Sequence, residues 1–362
     1  MTTTTYLVLA AVALVFIIIF QIAKASEYVS VLKGEEKANK QTNKINGAML
    51  LGFMILGFIG VWYCNKMLYG STLFPQGSAS VEGEKIDEMF MMTVAVTGLV
   101  FIITQFLLFY FAWKYQEKEG RKVYYFPHNN KLELIWTVVP AIFLTVLVVF
   151  GLKFWFRITS DAPKDAMVVE IMGKQFGWIM RYPGEDNTFG KTYFKVISDE
   201  GSNPLGQIWE DHTGLQLKAD PANFDDVVTT QTMYIVKDRP VKLIINSRDV
   251  IHDVGLSHFR MKMDAVPGIP TTLWFTPKYT TKEMKARTGN PDFVYEISCD
   301  QMCGNGHYSM KGIIEVVTQE EFDAWMAKQK PNYYVANPDK DPAANAPAAT
   351  GDAKIAAVSR VQ

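Results

Sequence analysis

Four long apolar stretches, at roughly 6–23, 47–64, 90–112 and 134–156, constrain this chain more than any other feature. Each is about long enough to cross a hydrocarbon core of roughly 30 Å as a helix. Each is also continuous, whereas a helix that packs on a soluble core shows an apolar stripe. Four membrane-spanning helices are therefore expected, in preference to buried helices of a soluble protein. The last stretch, LIWTVVPAIFLTVLVVFGL, contains Pro140. A proline there bends a membrane helix without ending it, because neighbouring groups satisfy the freed backbone carbonyl.

The connections between the stretches carry unequal charge. Segment 24–46 holds Lys24, Lys33, Lys37, Lys40 and Lys44, and segment 113–133 holds Lys114, Lys118, Arg121, Lys122 and Lys131. Segment 65–89 holds only Lys66 and Lys85. Basic connections stay inside, so both chain ends and everything after the last stretch are expected outside. The first stretch follows MTTTTY, which lacks the basic residues of a signal peptide, and its exit KASEYVS only loosely resembles a cleavage site. It is read as a retained helix. VWYC, ending at Cys64, lacks the small residues that precede a lipid-modified cysteine.

A chain of 362 residues leaves room for a soluble domain beyond the last stretch. A formal net charge of −1 offers nothing to nucleic acid. Runs such as MVVEIMG, YFKVI (193–197), TMYIVKD (232–238), PVKLIINS (240–247), TTLWFTP (271–277), FVYEIS (293–298) and GIIEVV (312–317) read as short strands between turn residues. That pattern fits a β-sandwich or Greek-key barrel. Residues 184–231 are polar and turn-rich and read as an inserted excursion with little regular structure. EEFDAWMAKQK (320–330) reads as a terminal helix. Beyond about 333 the Ala/Pro-rich composition predicts disorder.

The chemistry lies in YEISCDQMCGNGHYSMKG, which gathers Cys299, Cys303, His307 and Met310. Thiolate, imidazole and thioether form the soft set that favours copper, whereas zinc more usually takes Cys and His alone. Two thiolates exceed the need of a single blue-copper ion and suggest two coppers sharing them. A disulfide between Cys299 and Cys303 is the bland alternative, which leaves the His and Met spacing unexplained. A second imidazole must come from elsewhere among five histidines. His128 lies at the inner membrane face and His212 in the polar excursion. His252 directly follows a strand, the kind of element that positions a ligand, and His258 is its rival.

The spacing Cys-x3-Cys-x3-His-x2-Met, with DVIH and DAVPG upstream, resembles cytochrome c oxidase subunit II. KLELIWTVVPAI resembles a membrane helix of that family and GKQFGWIMRYPG its aromatic segment. The resemblance covers roughly 90–182 and 232–318. It implies a membrane-anchored all-β protein, with transmembrane helices before a cupredoxin-like Greek-key β-sandwich carrying a polar insertion at 184–231. On this reading 1–70 holds two additional helices, 71–160 a transmembrane hairpin, 161–332 an extracytoplasmic copper domain, and 333–362 a disordered tail. It also implies a dinuclear copper centre, CuA, held by His252, Cys299, Cys303, His307 and Met310 and by the backbone carbonyl of Gln301. Electrons would enter from cytochrome c, or from a haem domain of a partner complex, and pass to haem in subunit I, where oxygen becomes water. The implied location is the bacterial cytoplasmic membrane, with the copper domain on the periplasmic side.

Further residues are carried over by the same resemblance. Phe176, where the family has tryptophan, or Trp178 would serve electron entry. Glu133 would sit at the mouth of a proton pathway shared with subunit I, and Asp264 near the subunit interface. Gln301 replaces a glutamate that helps hold magnesium at that interface. A neutral amide is a weaker ligand for a hard cation, which weakens the case for magnesium and leaves the copper role intact. No CxxCH is present, so no covalent haem is expected. Nitrous-oxide reductase would need a histidine-rich second cluster, and a quinol oxidase subunit would lack the copper ligands. A membrane-tethered copper carrier or assembly factor is the alternative from another class.

Overall fold

A computed structural model describes residues 3–118 and 120–342. It divides into two units, one comprising 1–75 with 88–150 and the other 76–87 with 151–362. Helices α1 (Thr3–Lys33), α2 (Glu35–Leu68), α3 (Val81–Lys114) and α4 (Asn130–Thr159) contain the four apolar stretches. Among the described residues these four are long and apolar enough to cross a membrane, and their apolar windows are almost wholly unburied. They run past the stretches at both ends. α2 starts inside the basic connection, where Glu35 and Glu36 occupy the first turn. Acidic groups there complement the positive end of the helix dipole, and Lys, Glu and Ala favour helix without any membrane. Only Gly34 separates α1 from α2, at φ 83°, a left-handed conformation that glycine adopts without strain.

The second unit is a sandwich of two five-stranded sheets, with orders β3-β2-β1-β5-β8 and β4-β10-β9-β6-β7. The first sheet comprises β1 (Met167–Lys174), β2 (Gly177–Tyr182), β3 (Val227–Thr230), β5 (Val241–Ser247) and β8 (Thr271–Phe275). The second comprises β4 (Thr232–Val236), β6 (His252–Leu256), β7 (Met261–Ala265), β9 (Tyr295–Cys299) and β10 (Lys311–Val317). β1 pairs with β5, and β4 with β10, in parallel; the other pairs are antiparallel. The alternation along β5 puts Val241, Leu243 and Ile245 into the core, as the two-residue period of a strand requires. Val169, Ile171, Val254, Tyr295 and Ile314 meet them from other strands.

Several expectations are corrected. YFKVI, expected as a strand, forms a 3₁₀ turn at Phe194–Val196. Its surroundings offer only isolated bridges, Thr192 with Gln207 and Ser198 with Asn203, and no sheet edge to extend. The excursion, expected to have little regular structure, ends in β3, and α5 (Thr281–Thr288) is an additional helix held by a Thr280–Glu283 capping box. α6 (Gln319–Met326) takes up the expected terminal helix but stops four residues short of 330. Residues 333–342, expected to be disordered, continue in α7 (Asn332–Ala336) and a further turn. The Asn332 amide donates to the Asp226 carbonyl at 2.8 Å, and Tyr333 packs edge-on to Phe224. The remaining tail, 343–362, lies outside the described residues.

Candidate metal centre

Two adjacent strands and one loop build the centre. His252 opens β6 and Cys299 closes β9, and the two strands pair so that Val254 lies opposite Cys299. The loop after β9 turns back through a 3₁₀ turn, His307–Ser309, to place Cys303, His307 and Met310 beside them. His252 Nδ1 lies 3.8 Å from Cys299 Sγ, and the two sulfurs are 3.7 Å apart. Cys303 Sγ lies 3.7 Å from His307 Nδ1 and 3.8 Å from Met310 Sδ. The Gln301 carbonyl oxygen is 3.2 Å from Cys299 Sγ. The donors thus fall into two sets around a shared thiol pair, His252 and the Gln301 carbonyl on one side, His307 and Met310 on the other. His252, Cys299 and Cys303 offer ligand atoms within 4.8 Å of one another and are all buried.

This donor set fits copper. Thiolate sulfurs bind such ions at about 2.3 Å, so sulfurs at this separation can share one. Both cysteines are free thiols. Burial, and then the neighbouring Cys299, push the Cys303 thiol up to about 11, so a metal that binds there must displace a proton.

The supporting contacts are specific. His252 Nε2 donates to Asp249 Oδ1 at 2.7 Å, which leaves Nδ1 facing the sulfur. A carboxylate behind a ligating imidazole sets its tautomer and raises its basicity. Asp249 also accepts from the Gln175 backbone amide at 2.8 Å, and Gln175 Nε2 donates to the Cys303 carbonyl at 2.6 Å. A Cβ on Gly173 would stand 2.8 Å from the His252 ring, so the strand can approach only as glycine. Sequence reasoning missed Asp249, Gln175 and Gly173. The Asp-x-x-His spacing was the available signal for the first.

The other expected site residues separate. Phe176 lies over Gly304 and Gly306 and is 41% exposed. Trp178 meets His252 edge-on at 6.1 Å but is only 1% exposed, so it is corrected from a docking contact to a wall of the site. His258 packs edge-on to Phe293 and Tyr295, and burial lowers its pKa. It takes no part in the centre. Glu133 lies in the first turn of α4 and accepts from the Asn129 amide at 3.3 Å. Asp264 lies on β7 directly opposite Asp253 of β6. Burial, and then the Asp264 carboxyl, push Asp253 up to about 7.

Four helices apolar enough to cross a membrane, and a β-sandwich with two buried thiols, two imidazoles and a thioether in one place, define a class of membrane-anchored protein with a soft-metal centre. The family description "Cytochrome C oxidase subunit II, transmembrane domain" matches residues 69–154, and "Cytochrome C oxidase subunit II, periplasmic domain" matches 167–317. The chain belongs to the cytochrome c oxidase subunit II family. It is 33% identical to the alternative cytochrome c oxidase subunit 2 of Bradyrhizobium diazoefficiens, over 68% of this chain and 80% of that protein. It is 27% identical to cytochrome c oxidase subunit 2 of Cereibacter sphaeroides, over 73% of this chain and 82% of that protein. Among solved structures, the periplasmic domain of subunit II of cytochrome oxidase of Bradyrhizobium japonicum is 20% identical, covering 46% of this chain and 95% of that one, at a TM-score of 0.30. α1 and α2 precede the matched region.

Proposed function

We propose that this chain is the electron-entry subunit of a cytochrome c oxidase, taking electrons from cytochrome c and delivering them to haem in subunit I for the proton-coupled reduction of oxygen to water. The observation that carries the reading is the shared thiol pair, 3.7 Å apart and buried, with an imidazole beside each sulfur. His252, Cys299, Cys303, His307, Met310 and the Gln301 carbonyl would hold two copper ions, which when bound supply reversible one-electron redox chemistry. The chain's own residues supply the rest. Asp249 fixes the His252 tautomer, Gln175 ties down the loop at Cys303, Trp178 packs edge-on to the His252 ring, and Met310 lies buried beside Cys303. Fixed ligands in a dry site need little rearrangement when charge changes. Phe176, exposed above the loop glycines, is the contact for a docking donor.

The positive-inside bias supports four spans with the copper domain and both termini on the periplasmic side. The division follows, with two additional helices in 1–70, a transmembrane hairpin in 71–160 and the copper domain from 161. Glu133, at the inner end of α4, would open a proton pathway with subunit I, and Asp264 would face the subunit interface. The Gln301 amide is a poor substitute for a magnesium-binding carboxylate.

Metal content and EPR of the full-length chain in detergent test this reading. Two coppers per chain, with one unpaired electron shared equally by two copper nuclei, are expected. One copper, zinc alone, or no metal after reconstitution would overturn it.

A further inference from the structure

Helices α2 and α3 meet along an antiparallel seam. Phe53 lies 5.8 Å from Phe109 and Phe58 lies 6.3 Å from Phe101, ring centre to ring centre. At the end of the seam a Cβ on Gly47 would stand 3.2 Å from Gln116 Nε2 and 3.4 Å from the Trp113 ring. Gly47 opens the second apolar stretch, and Trp113 stands just beyond the third. Both apolar spans therefore end at this level, where hydrocarbon gives way to headgroups. Tryptophan favours that boundary, with an apolar ring and a polar N–H.

Here lies a cavity of about 560 Å³, lined chiefly by Lys40, Lys44, Trp113, Gln116, Glu117 and Lys118. That volume suits a small-molecule site. Three ammonium groups against one carboxylate leave its wall with two positive charges. Other basic residues nearby are held elsewhere: Lys114 stands over the Tyr110 and Tyr115 rings, and Arg121 over Tyr115. The Lys44 and Lys118 side chains have no hydrogen bond or ion pair among the described residues. Gln116 Nε2 donates to the Trp113 carbonyl at 2.8 Å, which leaves its second N–H for another acceptor. The wall thus presents two ammonium groups and an amide N–H, all donors, at the depth of the lipid phosphates.

We propose that this cavity holds the headgroup of one acidic phospholipid, whose phosphodiester accepts from Lys44, Lys118 and Gln116. A basic pocket between membrane helices is the kind of site that takes an anionic headgroup. A zwitterionic headgroup would bring its own ammonium among the lysines, where like charges repel. The occupant is a lipid and not free phosphate because the site stands where two apolar spans end. The acyl chains then meet the apolar side chains of both helices, which are almost wholly unburied. α2 precedes the region matched by the family description, so the lipid would fasten an additional helix to the hairpin. The inference rests on α2 and α3 crossing the membrane and is independent of the copper centre.

Native mass spectrometry of the full-length chain in detergent tests the site, with phosphatidylglycerol as the probe and phosphatidylcholine of the same acyl chains as the comparison. One phosphatidylglycerol is expected to be retained at least tenfold more tightly than phosphatidylcholine. Lys44→Gln and Lys118→Gln should each weaken it about fivefold, and Glu117→Gln should tighten it. Lys122→Gln, in the same connection but outside the cavity, should leave it unchanged. Far-ultraviolet circular dichroism reports the helices of each variant. Equal retention of the two lipids, or a preference indifferent to Lys44→Gln, Lys118→Gln and Glu117→Gln, would overturn the site. Displacement of the lipid by inorganic phosphate would overturn the lipid as occupant and assign the cavity to a free anion. The readout needs no copper, so its failure is separate from a failure of the electron-entry reading.

Discussion

At the scale of single residues, the centre depends on groups that never touch metal. Asp249 is the clearest. Its two oxygens serve different masters, one accepting from His252 Nε2 and the other from the Gln175 amide. Losing the carboxylate frees the imidazole to rotate and to change tautomer. Asp249→Ala is therefore expected to lower copper affinity about 10–100-fold, read by competition titration with a chelator, with little change in the far-ultraviolet circular dichroism. An unchanged affinity would mean that packing against Trp178 and Gly173 alone holds the ring. The ligand types were legible in the sequence because soft donors crowd into one loop. The choice of His252 over the weaker rival His258 rested on the strand-like run before His252 alone, and it is the Asp249 contact and the Phe293–Tyr295 packing that separate them.

At the scale of elements, legibility followed residue chemistry. β5, β8 and β10 are rich in Val, Ile, Leu and aromatic residues and could be read directly. β6 and β7, with Asp, Gly, Lys and Met, lack that signature and become strands because β9 offers β6 an edge and β6 offers one to β7. Tertiary pairing overrides propensity in such strands. The excursion was illegible for another reason, since long-range polar contacts hold it. Arg181 of β2, buried, donates to Asp226 Oδ2, Asn223 Oδ1 and the Gly190 carbonyl at 2.5, 2.9 and 2.6 Å, and to Glu170 Oε2 at 3.1 Å. Removing one partner leaves a charge buried and uncompensated. Asp226→Ala should cost about 3–5 kcal/mol of stability, measured by chemical denaturation of the detergent-solubilised chain with Trp fluorescence. A cost under about 1 kcal/mol would show that water or Glu170 replaces the lost acceptor.

For the whole molecule, the division of labour between greasy helices and a polar-edged sandwich was legible from hydropathy alone, because no soluble core asks for four continuous apolar runs. The direction of insertion is a separate property that charge, not hydropathy, carries. In a Cys64→Ser background, Lys85→Cys should react with a membrane-impermeant maleimide on spheroplasts, and Lys122→Cys only after the cytoplasmic membrane is opened. The reverse pattern would invert the proposed topology. The Arg181 clamp has a consequence in the history of such chains. Asp226, Asn223 and Gly190 belong to the excursion, while Arg181 and Glu170 belong to the sheet beneath it. Cutting the excursion out in one genetic event would remove three of the four partners named here and leave Glu170 alone against the guanidinium. Lineages that shorten this segment must therefore replace Arg181 as well, and the two changes should be inherited together.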